Sequence, residues 1–461
     1  MADDEKAKLY KRLVSGANDW AVLERMRVNG FWPRYKDLPA DPPKETAERA
    51  KIEAELTKLR AQATTVQDPA KALAEERRRR WEASKKRRKE AKAKRAAAAK
   101  LRRDAYAAHR KANVVHLGEG VSAGLQATKS DAAKLTAKGL PVLNTGNDLA
   151  MVLGVTLPQL RWLTYHRRGA TVVHYRRYEI PKKTGGVRHI SAPKPRLAAA
   201  QRWVFKNILE KLETAAPAHG FVKHRSLVTG ATPHVGKSVV LNLDLKDFFP
   251  SFTWRRVKGL FVKLGYSEHV ATVLALLCTE PPRVATTLDG KTYHVALGER
   301  VLPQGACTSP AITNALCRRL DARLAGLAKR FGYAYTRYAD DLSFASATGK
   351  DVNALQWAVR KVLTEEGLAE NPAKTHVMRT TDRQEVTRLV VNEKLTVTRE
   401  YYKTLRATLF NCAKHGLASQ NRDGHADFAA HLRGKVEFVA SVDPDRGAKL
   451  KDALTAALAK P

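Results

Sequence analysis

Two adjacent acids, Asp340 and Asp341, interrupt a stretch of aromatic, apolar and β-branched residues that runs from Tyr333 to Phe344. This stretch predicts a β-hairpin with the acids at its tip. Neighbouring carboxylates raise each other's pKa, and a bound divalent cation removes that cost. Because successive side chains of a strand point to opposite faces, only one of the pair can face a given metal directly. A metal site therefore needs a further acid from elsewhere in the chain. The alternative to a metal site, for an isolated pair of aspartates, is a polar turn.

The further acid is Asp244, which ends the apolar run Val239–Asp244. That run predicts a strand, and its carboxyl end could meet the hairpin acids and complete a two-metal site. In such a site, two Mg²⁺ ions about 4 Å apart activate an attacking 3′-hydroxyl and stabilise a leaving pyrophosphate. Two distant acidic segments are weak evidence for nucleotidyl transfer on their own, and the segments described below strengthen it.

The charge of the chain points to a polyanionic partner. The formal net charge is +37, with 83 Lys and Arg against 46 Asp and Glu. Nucleic acid is the obvious partner, and an anionic membrane surface is the weaker alternative. No apolar run approaches the ~18–20 residues that span a bilayer, and the first residues lack the features of a secretion signal. The four cysteines have no metal-ligand spacing. These features predict an intracellular protein.

Much of the positive charge lies before residue 111. Residues 71–110 contain 17 Lys and Arg but only 5 Asp and Glu, in an Ala-rich context that favours helix. Apolar residues are too sparse there to bury a face. We predict one or two long, exposed basic helices that bind RNA or DNA; the alternative is a solvated tail without a specific partner.

Composition also suggests where the chain divides. We predict a basic, mostly helical N-terminal extension over residues 1–110 and a linker over residues 111–140. Strands and helices then alternate to about Phe438, which indicates an α+β architecture.

Together with the acidic segments, the string Leu302-Pro-Gln-Gly-Ala-Cys-Thr-Ser-Pro310 resembles motifs of reverse transcriptases. The resemblance implies a right-hand polymerase fold with fingers, an antiparallel palm sheet and a thumb. Residues 141–400 would form the fingers and palm, and residues 401–461 the thumb. Within the latter range, the segment His431–Val439 resembles the start of the reverse transcriptase thumb. It also implies that Asp244, Asp340 and Asp341 are catalytic and, with Leu245, bind the two Mg²⁺ ions.

The same resemblance assigns residues that bind the incoming deoxynucleotide. The segment Ile180–Ile190, with Lys182, Lys183 and Arg188, is similar to the fingers hairpin that closes on the triphosphate, and an arginine there suits a forked contact. Phe249 resembles the bulky gate that excludes a ribose 2′-hydroxyl, although a core aromatic is the alternative. The nucleotide-binding residues implied are Lys182, Arg188, Asp247, Phe249, Gln304 and Lys374. Of these, Lys374 could protonate the departing pyrophosphate, or be an ordinary surface lysine.

Two further segments resemble those of retron reverse transcriptases. Residues 230–234 are similar to the retron Asn-Ala-x-x-His segment, with Gly230 in place of Asn. Residues 384–392 are similar to the retron Val-Thr-Gly segment, with arginine in place of Gly. The resemblance implies that these segments recognise RNA through Ala231, His234, Val386, Thr387 and Arg388.

A retron-type enzyme implies a specific reaction and specific partners. It would copy part of a cognate noncoding RNA into single-stranded DNA from dNTPs, starting at a guanosine 2′-hydroxyl and leaving a 2′,5′ branch. Only about twenty residues follow Phe438, too few for an RNase H domain, so a host RNase H would trim the RNA. We expect a bacterial cytoplasmic protein with no membrane partner, paired with an effector protein in antiviral defence.

Two alternatives remain from sequence alone. One is an RNA-binding scaffold, similar to an antitoxin, that restrains an effector within a ribonucleoprotein. The other is a reverse transcriptase of the group II intron kind, for which the chain has little room after residue 438.

Overall fold

The computed structural model describes residues 19–36, 43–66, 68–182 and 185–459. The chain forms two compact units, one ending at Asp104 and the other beginning at Ala105. The described part of the first unit is helical. Its helices are α1 (Asp19–Val28), α2 (Pro43–Val66) and α3 (Pro69–Ala112), the last of which runs past Asp104. Within the described ranges, no helix combines the length and apolarity required to cross a bilayer.

Local sequence accounts for α2 and α3. Each begins with proline, whose fixed φ and missing N–H suit the first helical position. Asp68 Oδ1 accepts a hydrogen bond from Lys71 N at 3.3 Å and so caps the start of α3. The structure describes all 44 residues of α3, and none of them is buried. At 1.5 Å per residue the helix is about 66 Å long, and it coincides with the segment for which the sequence predicts exposed basic helices.

The second unit mixes helices and strands. Its helices are α4 (Ala132–Ala137), α5 (Gly146–Val152), α6 (Leu157–Thr164), α7 (Pro195–Asn207), α8 (Leu227–Ala231), α9 (Trp254–Leu264), α10 (Glu268–Cys278), α11 (Ser309–Leu316), α12 (Arg318–Phe331), α13 (Val352–Glu365), α14 (Arg399–His415), α15 (Phe428–Val442) and α16 (Pro444–Leu458). Short 3₁₀ helices are Leu209–Lys211, Thr232–His234, Pro372–Lys374 and Leu417–Gln420.

The strands form four sheets. They are β1 (Gly169–Ala170), β2 (Tyr175–Pro181), β3 (Val187–Pro193), β4 (Val239–Asp244), β5 (Arg283–Leu288), β6 (Lys291–Ala296), β7 (Ala334–Tyr338), β8 (Asp341–Ser346), β9 (His376–Arg379), β10 (Glu385–Val386) and β11 (Leu389–Val390). The central sheet has the order β7-β8-β4-β9 and is antiparallel throughout. Smaller sheets have the orders β1-β6-β5, β2-β3 and β10-β11.

Both faces of the central sheet are covered, and this explains the nearly continuous apolar run of β4. Leu241 and Leu243 belong to the larger core, which also contains α9, α10 and α12. Val240, on the opposite face, belongs to a second core with Ala345 of β8 and the helices α14, α15 and α16. Because a strand buried on both faces has no polar side, its sequence does not alternate. The central sheet therefore lies between two hydrophobic layers.

The segment that composition predicts as a linker, residues 111–140, also packs into the larger core. Its buried apolar side chains are Val114, Leu117, Val121, Leu125, Leu135 and Leu140. They are spaced too irregularly to produce a helical or strand period, so composition alone indicated a connection. The structure thus gives this segment a packing role that the predicted linker did not include.

Candidate active site

Three aspartates meet at one end of the central sheet. Asp244 is the last residue of β4 and lies directly opposite Asp341, the first residue of β8, in the antiparallel register. Asp340 lies in the two-residue turn between β7 and β8. Its carbonyl oxygen accepts a hydrogen bond from Leu245 N at 3.0 Å. The two acidic segments of the sequence therefore converge at one place.

The turn that carries Asp340 has a disfavoured backbone conformation. Ala339 has a φ of 58°, a region that residues other than glycine rarely adopt, and its side chain is buried. Gly220 packs closely against this turn, because a Cβ at position 220 would lie 2.7 Å from Ala339 N. A larger residue at position 220 would therefore displace the backbone next to Asp340.

The hairpin carboxylates have raised pKa values. Burial raises the pKa of Asp340, and the negative charge of Asp244 raises it further. Protein atoms also surround Asp341, although solvent still reaches its side chain. This burial, followed by the charges of Asp340 and Asp244, raises the pKa of Asp341 to about 6. The surplus of negative charge is what a bound divalent cation would neutralise.

The donor set fits a hard cation that also contacts a substrate. Across the described ranges, no group of three or more His, Cys, Asp or Glu side chains is spaced to hold an ion by itself. Mg²⁺ usually takes one or two protein carboxylates together with substrate phosphates and water. An open arrangement of Asp244, Asp340 and Asp341 suits that mode of binding. The side chain of Leu245, the fourth predicted ligand, is buried and apolar, so Leu245 could contribute only its carbonyl oxygen.

Two residues near β9 hold Asp244. Lys374 Nζ lies 2.9 Å from Asp244 Oδ1. Asn371 donates from Nδ2 to Asp244 Oδ2 at 3.3 Å, and from its backbone N to Asp244 O at 2.8 Å. The sequence predicts Lys374 as a nucleotide-binding residue, and the structure places its ammonium on a predicted catalytic carboxylate. The contact of Asn371 has no counterpart among the predicted residues, because an asparagine before Pro372 is equally typical of a turn.

The hairpin of β2 and β3 is exposed and bears predicted triphosphate-binding residues. Its turn is closed by a hydrogen bond from Lys182 N to Gly186 O at 3.0 Å. Lys183 lies outside the described residues. Arg188 on β3 is exposed, and its positive charge opposes the rise in the pKa of Asp340. The guanidinium therefore lies within electrostatic reach of the aspartates.

The segment of residues 302–310 contacts this hairpin through its backbone. Ser191 N donates a hydrogen bond to Gln304 O at 2.7 Å. Gly305 has a φ of 111°, and a Cβ there would lie 2.8 Å from Ile190 Cγ2. Both facts require glycine at position 305. The side chain of Gln304 is half-buried beside this contact.

Two predicted nucleotide-binding residues follow β4. Asp247 has a φ of 46° and an exposed side chain, and its carbonyl oxygen accepts hydrogen bonds from Ser251 N and Oγ, each at 2.9 Å. Phe249 is half-buried, with its ring centroid 5.5 Å from that of Phe248. The ring is anchored against the core and keeps an exposed part, so the two readings of Phe249, gate and core aromatic, are compatible.

Three of the five predicted RNA-binding residues are buried. The side chains of Ala231, His234 and Val386 are each 0% exposed. His234 Nε2 pairs with Thr336 Oγ1 at 2.7 Å, and burial lowers the pKa of this histidine to about 4, so it is neutral at neutral pH. Direct contact of these three side chains with RNA is therefore incompatible with this structure. They support the surface around them instead.

The other two residues, Thr387 and Arg388, form the turn between β10 and β11. Their φ angles are 49° and 68°, so Arg388 keeps the left-handed conformation that the glycine of the retron segment would adopt freely. Arg388 is exposed, and its charge opposes the rise in the pKa of Asp341. The structure thus places this arginine within electrostatic reach of the aspartates.

Comparison with known proteins identifies the family. Residues 180–401 match the family described as reverse transcriptase (RNA-dependent DNA polymerase). The chain is similar to the retron Mx162 reverse transcriptase of Myxococcus xanthus, with 44% identity over 365 residues that cover 74% of each chain. It is 46% identical to the retron Mx65 reverse transcriptase of the same organism over 69% of this chain and 73% of the relative. It is 35% identical to the retron Ec86 reverse transcriptase of Escherichia coli over 67% of this chain and 88% of the relative. This chain therefore belongs to the retron reverse transcriptases and is an RNA-directed DNA polymerase.

Proposed function

We propose that this enzyme copies part of a cognate structured noncoding RNA into single-stranded DNA at Asp244, Asp340 and Asp341. The convergence of these carboxylates at one end of the central sheet is the observation that carries the proposal. In this proposal the central sheet is the palm, the β2–β3 hairpin belongs to the fingers, and α14, α15 and α16 form the thumb. The fingers and palm span residues 141–400, and the thumb spans residues 401–461.

The chemistry follows from the charges at the site. Asp244, Asp340 and Asp341 would hold two Mg²⁺ ions, which when bound would supply Lewis-acid activation of the attacking hydroxyl and neutralise charge on the phosphates. The aspartates bind cations only when ionised, and a pKa of about 6 leaves Asp341 mostly ionised at neutral pH. Lys374, whose ammonium pairs with Asp244, gives a proton to the departing pyrophosphate in this proposal.

Selection of the nucleotide involves residues on both sides of the aspartates. Lys182 and Arg188 on the exposed hairpin bind the triphosphate, and a guanidinium can do so through two parallel hydrogen bonds. The exposed part of Phe249 blocks a ribose 2′-hydroxyl and so favours dNTPs. Asp247 and Gln304 contact the sugar or the template beside it.

Priming occurs from a guanosine 2′-hydroxyl of the same RNA and leaves a 2′,5′ branch. The retron relatives, at 35–46% identity, support this over an intron-type reaction. Arg388 and Thr387 contact the RNA, over a surface that the buried Ala231, His234 and Val386 support. The exposed basic helices α2 and α3 bind the same RNA or the product DNA. A host RNase H trims the template, and the product acts with an effector protein in antiviral defence in the bacterial cytoplasm.

The test is to express the gene with several hundred base pairs of native flanking DNA and to purify the protein with its bound nucleic acid. Wild type and the Asp340→Asn, Asp341→Asn double variant are compared on a denaturing gel, each with and without RNase and debranching enzyme. We expect a discrete DNA band only in wild type, and a shift of that band after debranching.

Each other outcome contradicts part of the proposal. DNA that debranching does not shift would exclude 2′-hydroxyl priming. Bound RNA in both samples without DNA in either would favour the scaffold function, which the large basic surplus makes the second candidate. DNA in the double variant would show that these aspartates are not the catalytic carboxylates.

A further inference from the structure

A buried ion pair lies next to the turn formed by Ala339 and Asp340. Arg337 on β7 and Asp321 on α12 are both 0% exposed. Arg337 Nε donates to Asp321 Oδ1 at 2.7 Å, and Nη2 donates to Oδ2 at 2.8 Å, so the contact is forked. Tyr335 adds a hydrogen bond from its hydroxyl to Asp321 Oδ1 at 3.0 Å. None of these residues was among the predicted site residues.

Stability alone does not account for such a pair. Removing two charges from water is costly, and apolar side chains of similar volume often give equal or greater stability in the same place. A fully buried pair at this position therefore suggests a role beyond holding α12 against β7. The remaining nitrogen of the guanidinium indicates what that role is.

Arg337 Nη1 reaches the backbone of the turn. It donates to Ala339 O at 3.2 Å and to Asn314 Oδ1 at 3.0 Å. The carbonyl of Ala339 belongs to the peptide that joins it to Asp340, in a turn whose φ of 58° is disfavoured for alanine. A donor fixed in place on this carbonyl stabilises a conformation that the turn would not favour by itself.

Further contacts surround the turn. Asn314 Nδ2 donates to Gly220 O at 2.9 Å, and Gly220 is the residue that leaves no room for a Cβ beside Ala339 N. The backbone of Arg337 is fixed as well, because its N–H donates to Pro217 O and its carbonyl accepts from His219 N, each at 2.8 Å. Protein groups thus contact the strand end and the turn at Arg337, Ala339 N and Ala339 O.

We propose that Arg337, fixed by Asp321, is a positioning residue that holds the Ala339–Asp340 peptide so that the hairpin carboxylates face Asp244. This inference rests on the proposed role of the three aspartates. Arg337 contacts neither substrate nor metal; it acts through the turn. Without its hydrogen bond the turn relaxes, and the repulsion between the carboxylates moves them apart.

The test replaces the pair by apolar residues, in the double variant Arg337→Met, Asp321→Leu. Removing both charges together leaves no unpaired buried ion, so we expect thermal unfolding within a few degrees of wild type. We expect kcat on a supplied primer–template to fall about 10²-fold, as for a displacement of about 1 Å. The KM for dNTPs should change less than threefold. The affinity for Mn²⁺, measured by electron paramagnetic resonance on the protein with a dideoxy-terminated primer–template and dNTP bound, should fall about tenfold.

A matched control and a conservative variant complete the design. Arg323, also on α12, pairs at 2.7 Å with Glu366, the residue that follows α13. The variant Arg323→Met, Glu366→Gln should keep wild-type kcat and Mn²⁺ affinity. In Arg337→Lys, a single ammonium group cannot contact both the Asp321 carboxylate and the Ala339 carbonyl. We therefore expect a partial loss of kcat and of Mn²⁺ affinity. This variant decides the matter if the apolar double variant does not fold.

The outcomes separate this inference from the proposed function. Wild-type kcat and Mn²⁺ affinity in a folded apolar double variant, or in Arg337→Lys, would overturn the positioning role. If neither variant folds, the pair is a requirement of the fold, and a separate positioning role is also overturned. Retained activity in Asp340→Asn would instead contradict the proposed function, whatever the Arg337 variants show.

Discussion

The end of the central sheet that carries the three aspartates and helix α3 differ in how their charged side chains are arranged. At the sheet, Arg337 is fully buried and its fork is matched by Asp321. Along α3, Arg80 pairs with Glu76 at 2.8 Å, but cations outnumber acids by 17 to 5 over residues 71–110, and no residue of the helix is buried. One region positions a few charges in fixed geometry, and the other presents many charges to solvent.

This difference indicates which interactions weaken as the ionic strength rises and which weaken when atoms are displaced. Charges exposed to water are screened within about 8–10 Å at ordinary ionic strength, whereas buried pairs are screened much less. We therefore expect α3 to contribute affinity that added salt removes, and the sheet to contribute a rate that a small displacement removes. Four substitutions or conditions test this division.

The largest effect should come from Asp244→Asn. Removing this carboxylate charge should lower the single-turnover rate of nucleotide addition on the order of 10³-fold. RNA affinity and its dependence on salt should change less than twofold, because the basic helices are untouched. Rapid-quench kinetics and filter binding measure the two quantities. A rate within tenfold of wild type would remove Asp244 from the catalytic set.

The reciprocal change neutralises the basic run of residues 85–89 on α3 by glutamine at all five positions. RNA affinity should fall about 10²-fold near 150 mM salt, and the slope of log K against log salt should decrease by about 3.5–4.5. The rate on prebound primer–template should not change. The control replaces Ala96, Ala97, Ala98 and Ala99 by glutamine, which preserves the charge and keeps good helix formers at these positions. An unchanged slope in the neutralised variant would show that α3 does not bind this RNA.

Acidification should affect only the sheet. In metal-free protein Asp341, with a pKa of about 6, takes up a proton below pH 6. At Mg²⁺ concentrations below saturation, proton and cation compete for this carboxylate, so the rate should fall about tenfold per pH unit from there. Because this pKa lies above its ordinary value, the folded state binds that proton more tightly. This group therefore makes metal-free protein less stable as the pH rises from about 4 to 6. Rates from pH 5 to 8 and thermal unfolding in chelator check both signs; a flat rate from pH 5 to 7 would contradict the assignment.

The smallest effect concerns selectivity within the sheet region. Phe249→Ala should raise the use of ribonucleotides relative to dNTPs about tenfold, because the exposed part of the ring no longer meets a 2′-hydroxyl. Single-nucleotide incorporation with paired dNTP and rNTP substrates measures this ratio. The neighbouring substitution Phe248→Leu lies in the core and should leave the ratio unchanged. Equal ratios in both variants would make Phe249 a core residue only.

The sequence predicted those parts of the site that depend on local pattern. The β-branched and aromatic run around Asp340 indicates a hairpin with the acids at its tip, and the apolar run before Asp244 indicates a strand that ends in an acid. The structure has both the hairpin and the strand. The exposed hairpin of Lys182 and Arg188 follows from its turn glycines in the same way. Long-range packing was not predictable from such patterns. Arg337 lies between Thr336 and Tyr338 in a strand, where an exposed arginine would look identical.

Burial of the presumed RNA-binding residues has the same physical origin. His234 is enclosed because it meets Thr336, which is 102 residues away along the chain. No local period or charge pattern distinguishes a buried histidine with one partner from an exposed one. The packing of Leu117 and Leu135 within the predicted linker is likewise decided by distant helices. Sequence pattern therefore predicted which segments form strands better than it predicted which of their neighbouring side chains are buried by distant parts of the chain.

The order of strands in the central sheet also has a consequence for protein synthesis. The pairing of β4 with β8 and β9 joins segments that the ribosome produces far apart in time. More than two hundred residues separate the end of α3 at Ala112 from Asp341. At ~5–20 residues per second, synthesis of that interval takes roughly 10–50 s. The basic helices therefore emerge well before the aspartates can assemble. Under the proposed role of these helices, a nascent chain would hold a nearby transcript before it is able to copy it.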